Sequence, residues 1–361
     1  MITKFGKRFL TSHLAGLVDF TTKDIALGIG DASPSQEGND TRLEFEFYRL
    51  PATLSSIDIR SANITGLSTT GSAVTYTAQN NFSPGQTIKI TGVAPTQYNV
   101  SSAIVTSASN SQFTIASAAT GSYVSGGYAS SYSAIFLATL PQDVSGVISE
   151  IGLYPGARKS ANNFDSQFIT AFDNNLNWTD GSFNPATTYN SGSFQSKIGD
   201  NMIGITANAS AAKEYTNSQT NYNLSGYSVN DSIAISYKKM DTNLSKIRVK
   251  FYSSDTSYCW VDFTPKTGTG DKISSLTLNN LFANTTATPP DFTSITKVGV
   301  EATATSGGTT TVYFDGIRIN DEDTFDPSYG LISRSVLSGS DILTKVSGRQ
   351  VDIEYKLALE F

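Results

Sequence analysis

Any chemistry this chain performs would fall to the carboxylates and aromatics of its second half. The acids available are Glu214, Asp231, Asp241, Asp255 and Asp262. Glycoside hydrolysis needs two carboxyl groups held at a fixed separation across a cleft, and no spacing here singles out a pair. The sequence holds one histidine, His13, and one cysteine, Cys259. Those counts exclude Cys/His zinc clusters and an internal disulfide. They leave His13 as the sole base for a Ser-His or Cys-His nucleophile, and no activating partner stands near it in sequence. Gly126–Gly127 and Gly307–Gly308 lack the strand–loop–helix setting of phosphate loops and read as turns. The chain is expected not to be an enzyme.

Aromatics carry the one hint of recognition. Tyr215, Tyr222, Tyr227, Tyr237, Tyr252, Tyr258 and Trp260 crowd into one stretch. Sugars present apolar C–H faces beside hydroxyls, so exposed Tyr and Trp near Asn and Asp suit a glycan. Sandwich cores also consume aromatics, and both readings stay open. Strand parity puts Tyr258 and Trp260 on one face and Cys259 and Val261 on the other, without saying which face is inside. The glycan-binding candidates are Tyr222, Tyr227, Tyr258 and Trp260.

These residues need a β-scaffold, and composition provides one. The 361 residues are 39% hydrophobic and only 16% charged, and Gly, Ser, Thr, Asn and Tyr are abundant. That mixture belongs to β-sandwiches joined by tight turns. A net charge of -6 repels phosphate backbones and argues against nucleic acid as a partner. No apolar run approaches the ~20 residues of a membrane span. Lys4, Lys7 and Arg8 precede Phe9 and Leu10, but Thr11, Ser12 and His13 cut that run short, so no export signal is expected.

Along the chain, Ile2, Phe5, Phe9, Leu10, Leu14, Leu17 and Val18 recur at helical spacing and predict a helix over 2–18. Short strands follow over 25–29, 43–47, 54–60, 132–140 and 147–154. Residues 65–131 carry Lys89 as their lone charge and read as a small all-β insert. Residues 162–320, a length typical of one domain, hold strands over 202–207, 232–237, 246–252, 258–263, 273–278, 295–302 and 310–319. Seven short strands with Gly/Asn/Asp turns favour a jelly roll. In the tail, Val351, Ile353, Tyr355, Leu357, Leu359 and Phe361 alternate with Asp352, Glu354, Lys356, Ala358 and Glu360, a half-buried strand that must dock in its own sheet or a neighbouring subunit.

The expected fold is mainly β. A small α+β base domain (1–64, 132–160 and 322–361, the last supplying a C-terminal strand) is interrupted by a small all-β insert (65–131) and a jelly-roll β-sandwich (161–321). The segment SEIGLYPG at 149–156 closes a strand unit that looks unfinished until the chain returns.

The phrases KFGKRFLTSHLAGLV…KDIALGIG, LPQDVSGVISEIGLYPG and DILTKVSGRQVDIEYKLALEF together resemble virion structural proteins of tailed phages, cyanophages in particular. The strand–turn–EIGLY pattern is similar to the attachment domains of tail-fibre and tail-collar proteins. The 162–320 module resembles a carbohydrate-binding-module jelly roll. Its Phe172, Asp173, Trp178 and Thr179 match that class's opening, and VYFDGIRI (312–319) its last strand. That resemblance implies a structural calcium held by Asp315, with Asp165 and Asp173 as further oxygen donors, since calcium takes ~6–8 hard oxygens. No other cofactor is expected.

The expected function is a non-enzymatic structural component of a phage virion, at tail, baseplate, neck or fibre attachment. It would be made in the host cytoplasm, dock through its discontinuous base and display β-modules outward. Its partners would be other virion proteins and further copies of itself, a trimer first. An adhesin binding host polysaccharide through the jelly roll is the alternative, and a polysaccharide depolymerase the third reading.

Overall fold

A computed structural model describes the chain through residue 359 except residues 19, 21–22, 36–37, 157–166, 171, 175–176, 181–186, 190–195, 210, 219–220 and 321–329. The fold is mainly β, with one short N-terminal helix, several sheets and a five-residue helix at Asn279–Ala283. Two compact units are present: Met1–Pro51 with Thr139–Val351, and Ala52–Ala138 with Asp352–Phe361.

The first unit begins with the helix Lys4–Leu14, shorter at both ends than the apolar periodicity predicts. At its start, Ile2 bridges to Ser333, and the Thr3 hydroxyl caps the helix by accepting the Gly6 N–H at 2.9 Å. At its end, Gly16 takes φ 71°. Its N–H donates to the His13 carbonyl, and the Leu17 N–H donates to that of Ser12, both at 2.9 Å. That paired closure is a Schellman motif and needs a left-handed residue, which glycine adopts without penalty. Beyond it Leu14 and Leu17 stand 82% and 77% exposed, so the predicted stripe buries little more than Phe9. His13 is exposed, its Nδ1 3.0 Å from the Val18 carbonyl.

The unfinished strand of the sequence, Glu150–Pro155, is buried throughout. It pairs antiparallel with Lys23–Gly28 on one side and with Ser333–Val336 on the other. The returning chain therefore supplies Ser333–Val336 as the neighbour of this strand. Glu150, fully buried, accepts the Arg334 Nε–H at 2.6 Å, the Glu44 N–H at 2.8 Å and the Gly30 N–H at 3.2 Å. A Cβ on Gly30 would lie 2.4 Å from that carboxylate. The glycine of Ile29–Gly30 thus exists to admit a glutamate 120 residues away. Asp40 accepts from the other side of Arg334 at 3.1 Å.

The jelly-roll part of this unit packs two sheets. One contains Gln167–Thr170, Thr187–Tyr189, Met202–Asn208, Thr309–Asn320, Ser232–Lys239 and Gly270–Thr277. The other contains Trp178–Thr179, Ala212–Asn217, Lys297–Ala304, Leu244–Ser254 and Ser257–Phe263. Each of the seven expected strands is present within a few residues. Ile203, Ile205, Ile233, Ile235, Val249, Phe251, Val261, Val300 and Phe314 fill the space between the sheets. Phe172 and Trp178 join them with ring centroids 4.6 Å apart. The sandwich is fixed to the base by charge and by close contact. Arg318 lies 3.4 Å from Glu46, which also accepts a fork from Arg49 at 2.6 and 2.8 Å. Burial works against the Glu46 carboxylate, but Arg49 and Arg318 outweigh it and hold its pKa below the usual range. A Cβ on Gly316 would sit 3.0 Å from the Phe45 ring.

The second unit is wider than the 65–131 insert read from charge. Its flanking segments pair with each other, from Thr53↔Leu137 to Asn63↔Tyr128. They carry a small β-core of Val74, Tyr76, Ile88, Ile90, Tyr98, Val105, Phe113 and Ile115. The tail strand Val351–Ala358 joins this unit, hydrogen-bonded to Tyr128–Leu140. Its Lys356 ammonium reaches Asp58 at 3.0 Å. Alternation identifies a half-buried strand and its two faces but not the strand it pairs with.

Candidate carbohydrate-binding face

Four strands of the five-stranded sheet run side by side in the order Ala212–Asn217, Lys297–Ala304, Leu244–Ser254, Ser257–Phe263. Their register decides which side chains share the outer face. Glu214, Glu301, Arg248 and Asp262 form one row across the strands. Thr216, Gly299, Lys250 and Trp260 form the next, and Lys297, Tyr252 and Tyr258 the third. The intervening Val300, Val249, Val261, Val298, Phe251 and Cys259 are buried in the core. Parity is thereby resolved: Cys259 and Val261 face in, and Tyr258 and Trp260 face out, half-buried.

The face is a connected polar and aromatic array. Arg248 donates Nε–H and Nη2–H to the two Asp262 oxygens at 2.6 and 2.8 Å. Lys250 Nζ lies 2.9 Å from Glu214 and 2.8 Å from Glu301. The Tyr252 hydroxyl donates to Glu214 Oε1 at 2.6 Å. Cations lie over the rings: Arg248 is 5.1 Å from the Trp260 centroid, Lys250 5.7 Å from that of Tyr258, and Lys297 4.4 Å from that of Tyr252. Tyr258 stands 4.7 Å from Tyr252 and 5.8 Å from Trp260, ring to ring. Gly299 leaves the middle of the face low. A Cβ there would come within 2.3 Å of Glu214 Oε1, so glycine lets that carboxylate lie flat between Lys250 and Tyr252.

These contacts fix the protonation states. Burial and then the Glu214 carboxylate push the Tyr252 phenol up. Burial works against the Lys250 ammonium, but Glu301 and Glu214 outweigh it and raise its pKa. The Arg248 fork holds Asp262 below the usual carboxylate range. A general acid for glycoside cleavage needs the opposite shift. The array is suited to holding a saccharide, by stacking of C–H faces on rings and by charge-assisted hydrogen bonds.

Two of the four sequence candidates are elsewhere. Tyr227 is 7% exposed within the core. Tyr222 pairs its backbone with Ile295, donates its hydroxyl to the Ile169 carbonyl and packs against the same core. In their place the face presents Arg248 and Glu214, with Lys250, Tyr252 and Glu301 buried beneath them. Shared parity of 248, 250 and 252 with 258, 260 and 262 was the available signal.

The metal candidates meet on a second feature. The Asp315 carboxylate, buried in its strand, accepts backbone N–H groups of Lys197 at 2.9 Å and Ile198 at 3.4 Å. Asp173 Oδ1 accepts those of Asp200 at 2.6 Å and Asn201 at 2.7 Å. One loop thus wraps both carboxylates, and Gly199 approaches Asp173 so closely that a Cβ would fall 2.0 Å from its Oδ2. Burial raises both pKa values, that of Asp315 to about 8, with Asp271 and Asp173 adding repulsion. Two hard-oxygen groups gathered by one loop, Asp315 buried and Asp173 exposed, suit a calcium ion, whose charge would favour their ionised forms. Among the described residues no third Asp, Glu, His or Cys joins them, so further ligands would be backbone oxygens. Asp165 lies outside the described residues.

No protein-family profile matches the chain, and no curated protein is detectably similar in sequence. Several solved structures align to about two fifths of it. An exo-beta-agarase is 11% identical with a TM-score of 0.29, the match covering 42% of this chain and 25% of that one. The family 11 carbohydrate-binding module from Clostridium thermocellum, in complex with a mixed-linked tetrasaccharide, is 11% identical with a TM-score of 0.30, over 43% of this chain and 95% of the module. The enzymatically active domain of bacteriophage CBA120 tailspike protein 4 is 10% identical with a TM-score of 0.25, over 42% and 20%. The chain spans about a quarter of the agarase and a fifth of the tailspike domain.

Proposed function

We propose that the protein is a non-enzymatic, carbohydrate-binding virion component, which reads a surface polysaccharide through the outer face of its five-stranded sheet. The observation that carries this is the neighbouring half-buried rings of Tyr258 and Trp260, backed by the buried Tyr252, beside paired charges whose hydrogen-bonding groups are already oriented. Preorganised groups of this kind lose little entropy on binding. The virion part rests on the resemblance of the 1–60, 132–156 and C-terminal phrases to tail proteins. In that setting the base docks to other virion proteins. Calcium held by Asp315 and Asp173 would brace the sandwich, not touch the sugar.

The test uses the full chain. Affinity electrophoresis against host-type surface polysaccharides should show retardation, and Trp260→Ala should weaken it at least about tenfold with an unchanged melting temperature. Tyr227→Ala should lower stability instead, because it opens the core. Absence of retardation at millimolar saccharide sinks the binding reading. Release of reducing ends by the purified chain would replace it with a depolymerase. Immunogold labelling of intact particles tests the virion setting separately.

A further inference from the structure

The ladder between Glu46–Asn63 and Tyr128–Leu140 is regular from Ser56↔Ile135 to Asn63↔Tyr128. It occupies one edge of residues 56–63. The other neighbour of Glu46–Asn63 in the sheet is Lys23–Gly28, which starts beside the Ile29–Phe45 bond and is six residues long. It runs out before residue 54. Among the described residues no strand register runs along the second edge of 56–63. Ile57 and Ile59 stand there 62% and 64% exposed.

Natural edge strands are blunted by lysine, proline, bulges or inward charge. Residues 56–63, SIDIRSAN, carry no lysine or proline. Their two charges neutralise each other, with Arg60 Nε donating to Asp58 at 2.8 Å. Asp58 also accepts from Lys356 at 3.0 Å, and Arg60 also donates to Ser83 Oγ at 2.8 Å and to the Asn81 carbonyl.

The same alternation is self-complementary. Let a second copy approach antiparallel with Ile59 opposite Ile59. Asp58 then faces Arg60 of the second copy, Arg60 faces its Asp58, and Ile57 faces its Ser61. Opposite charges directly across an antiparallel pair stabilise it, and like charges do the reverse. A slip of two residues either way sets Asp58 against Asp58 or Arg60 against Arg60. The register centred on Ile59 is the one that sets unlike charges opposite each other at both positions, in addition to the bonds each already makes within its chain, and it has the twofold symmetry of an isologous interface. We propose that this edge is the site where a second copy of the chain adds its own Glu46–Asn63 strand, in that register. The proposal is independent of glycan binding.

Directly opposite residues lie ~4.5–5.5 Å apart at Cα, within disulfide range. Cys259, the sole native cysteine, is buried and does not compete. Under mild oxidation the full-length Ile59→Cys protein should therefore run as a covalent dimer on a non-reducing gel, while Ser61→Cys should not. In sedimentation the wild type should dimerise reversibly. Asp58→Arg should weaken this about tenfold or more, and Asp58→Arg with Arg60→Asp should restore it. A wild type that stays monomeric at high concentration overturns the proposal. So does equal cross-linking of Ser61→Cys, or an association indifferent to charge reversal or not restored by the swap. Ile59→Cys leaves every one of these side-chain bonds intact and remains decisive if the charge variants unfold.

Discussion

Glu150 and Asp315 are both carboxylates shut away from water, one in the base and one in the sandwich, and they are stabilised differently. Glu150 has Arg334 at 2.6 Å, and Arg334 in turn has Asp40. Asp315 has two backbone amides, and the charged groups acting on it are other acids. A buried ion pair with satisfied lone pairs is a structural hub. A buried carboxylate held by amides alone is a place for a cation or a proton. Burial raises both pKa values, so the difference lies in what each group would do if its surroundings changed.

The largest expected effect is on pH dependence, where calcium separates the two. A raised folded-state pKa means that the native state holds the proton longer than the unfolded chain does. Stability is then full below the unfolded value and falls as pH rises toward the folded one. For Asp315 the window runs from about 4 to about 8, with a slope of at most about 1.4 kcal/mol per pH unit. Denaturant titrations in chelator should show this decline, and Asp315→Asn should reduce it, leaving the part owed to the raised carboxyls of Glu150 and Asp173. Millimolar calcium should reduce it most for wild type. A wild-type curve that ignores calcium removes the cation reading. Groups with lowered pKa, such as Glu46 and Asp262, lose their contribution only as pH falls below about 4, outside that window.

Arg334→Ala comes next. It strands Glu150 without its cation and should cost about 3–5 kcal/mol by chemical denaturation. Glu150→Gln removes the buried charge but misplaces one hydrogen-bonding group, and should cost less, about 1–3 kcal/mol. If the order of these two variants were reversed, Glu150 would not be the hub described. Asp262→Asn, on the half-exposed outer face, should change stability by less than about 1 kcal/mol yet still alter saccharide retention. A large stability loss there would move Asp262 from the binding face to the scaffold.

Sequence reasoning recovered the mainly β class and the seven main sandwich strands, because β-branched and aromatic runs between turn residues are local signals. It paired Tyr258 with Trp260 because parity is geometric. It did not find Ala212–Asn217, whose AKEYTN is polar enough to read as a loop and which brings Glu214 to the face. It could not place Tyr227 in the core or Tyr252 beside Glu214, since both belong to strands or turns whose orientation depends on distant partners. Glu150 looked like one acid in a hydrophobic phrase. Its role rests on Gly30, Glu44 and Arg334, all distant in sequence. The helix end at Gly16 was legible as a glycine but was overruled by Leu17 and Val18, which continue the apolar period without being buried.

The ion pair between Arg318 and Glu46 bears on how such proteins diversify. A recombination that exchanged the sandwich as a cassette would cut the chain on either side of it and deliver a new last strand. Unless that strand carried a cation at the position of Arg318 and a glycine at that of Gly316, the recipient's Glu46 would keep Arg49 alone and its Phe45 would meet a Cβ. Two residues of the recipient thus act as a compatibility check on any incoming module. The lineages able to trade sandwiches with this one should be those that already match at both positions.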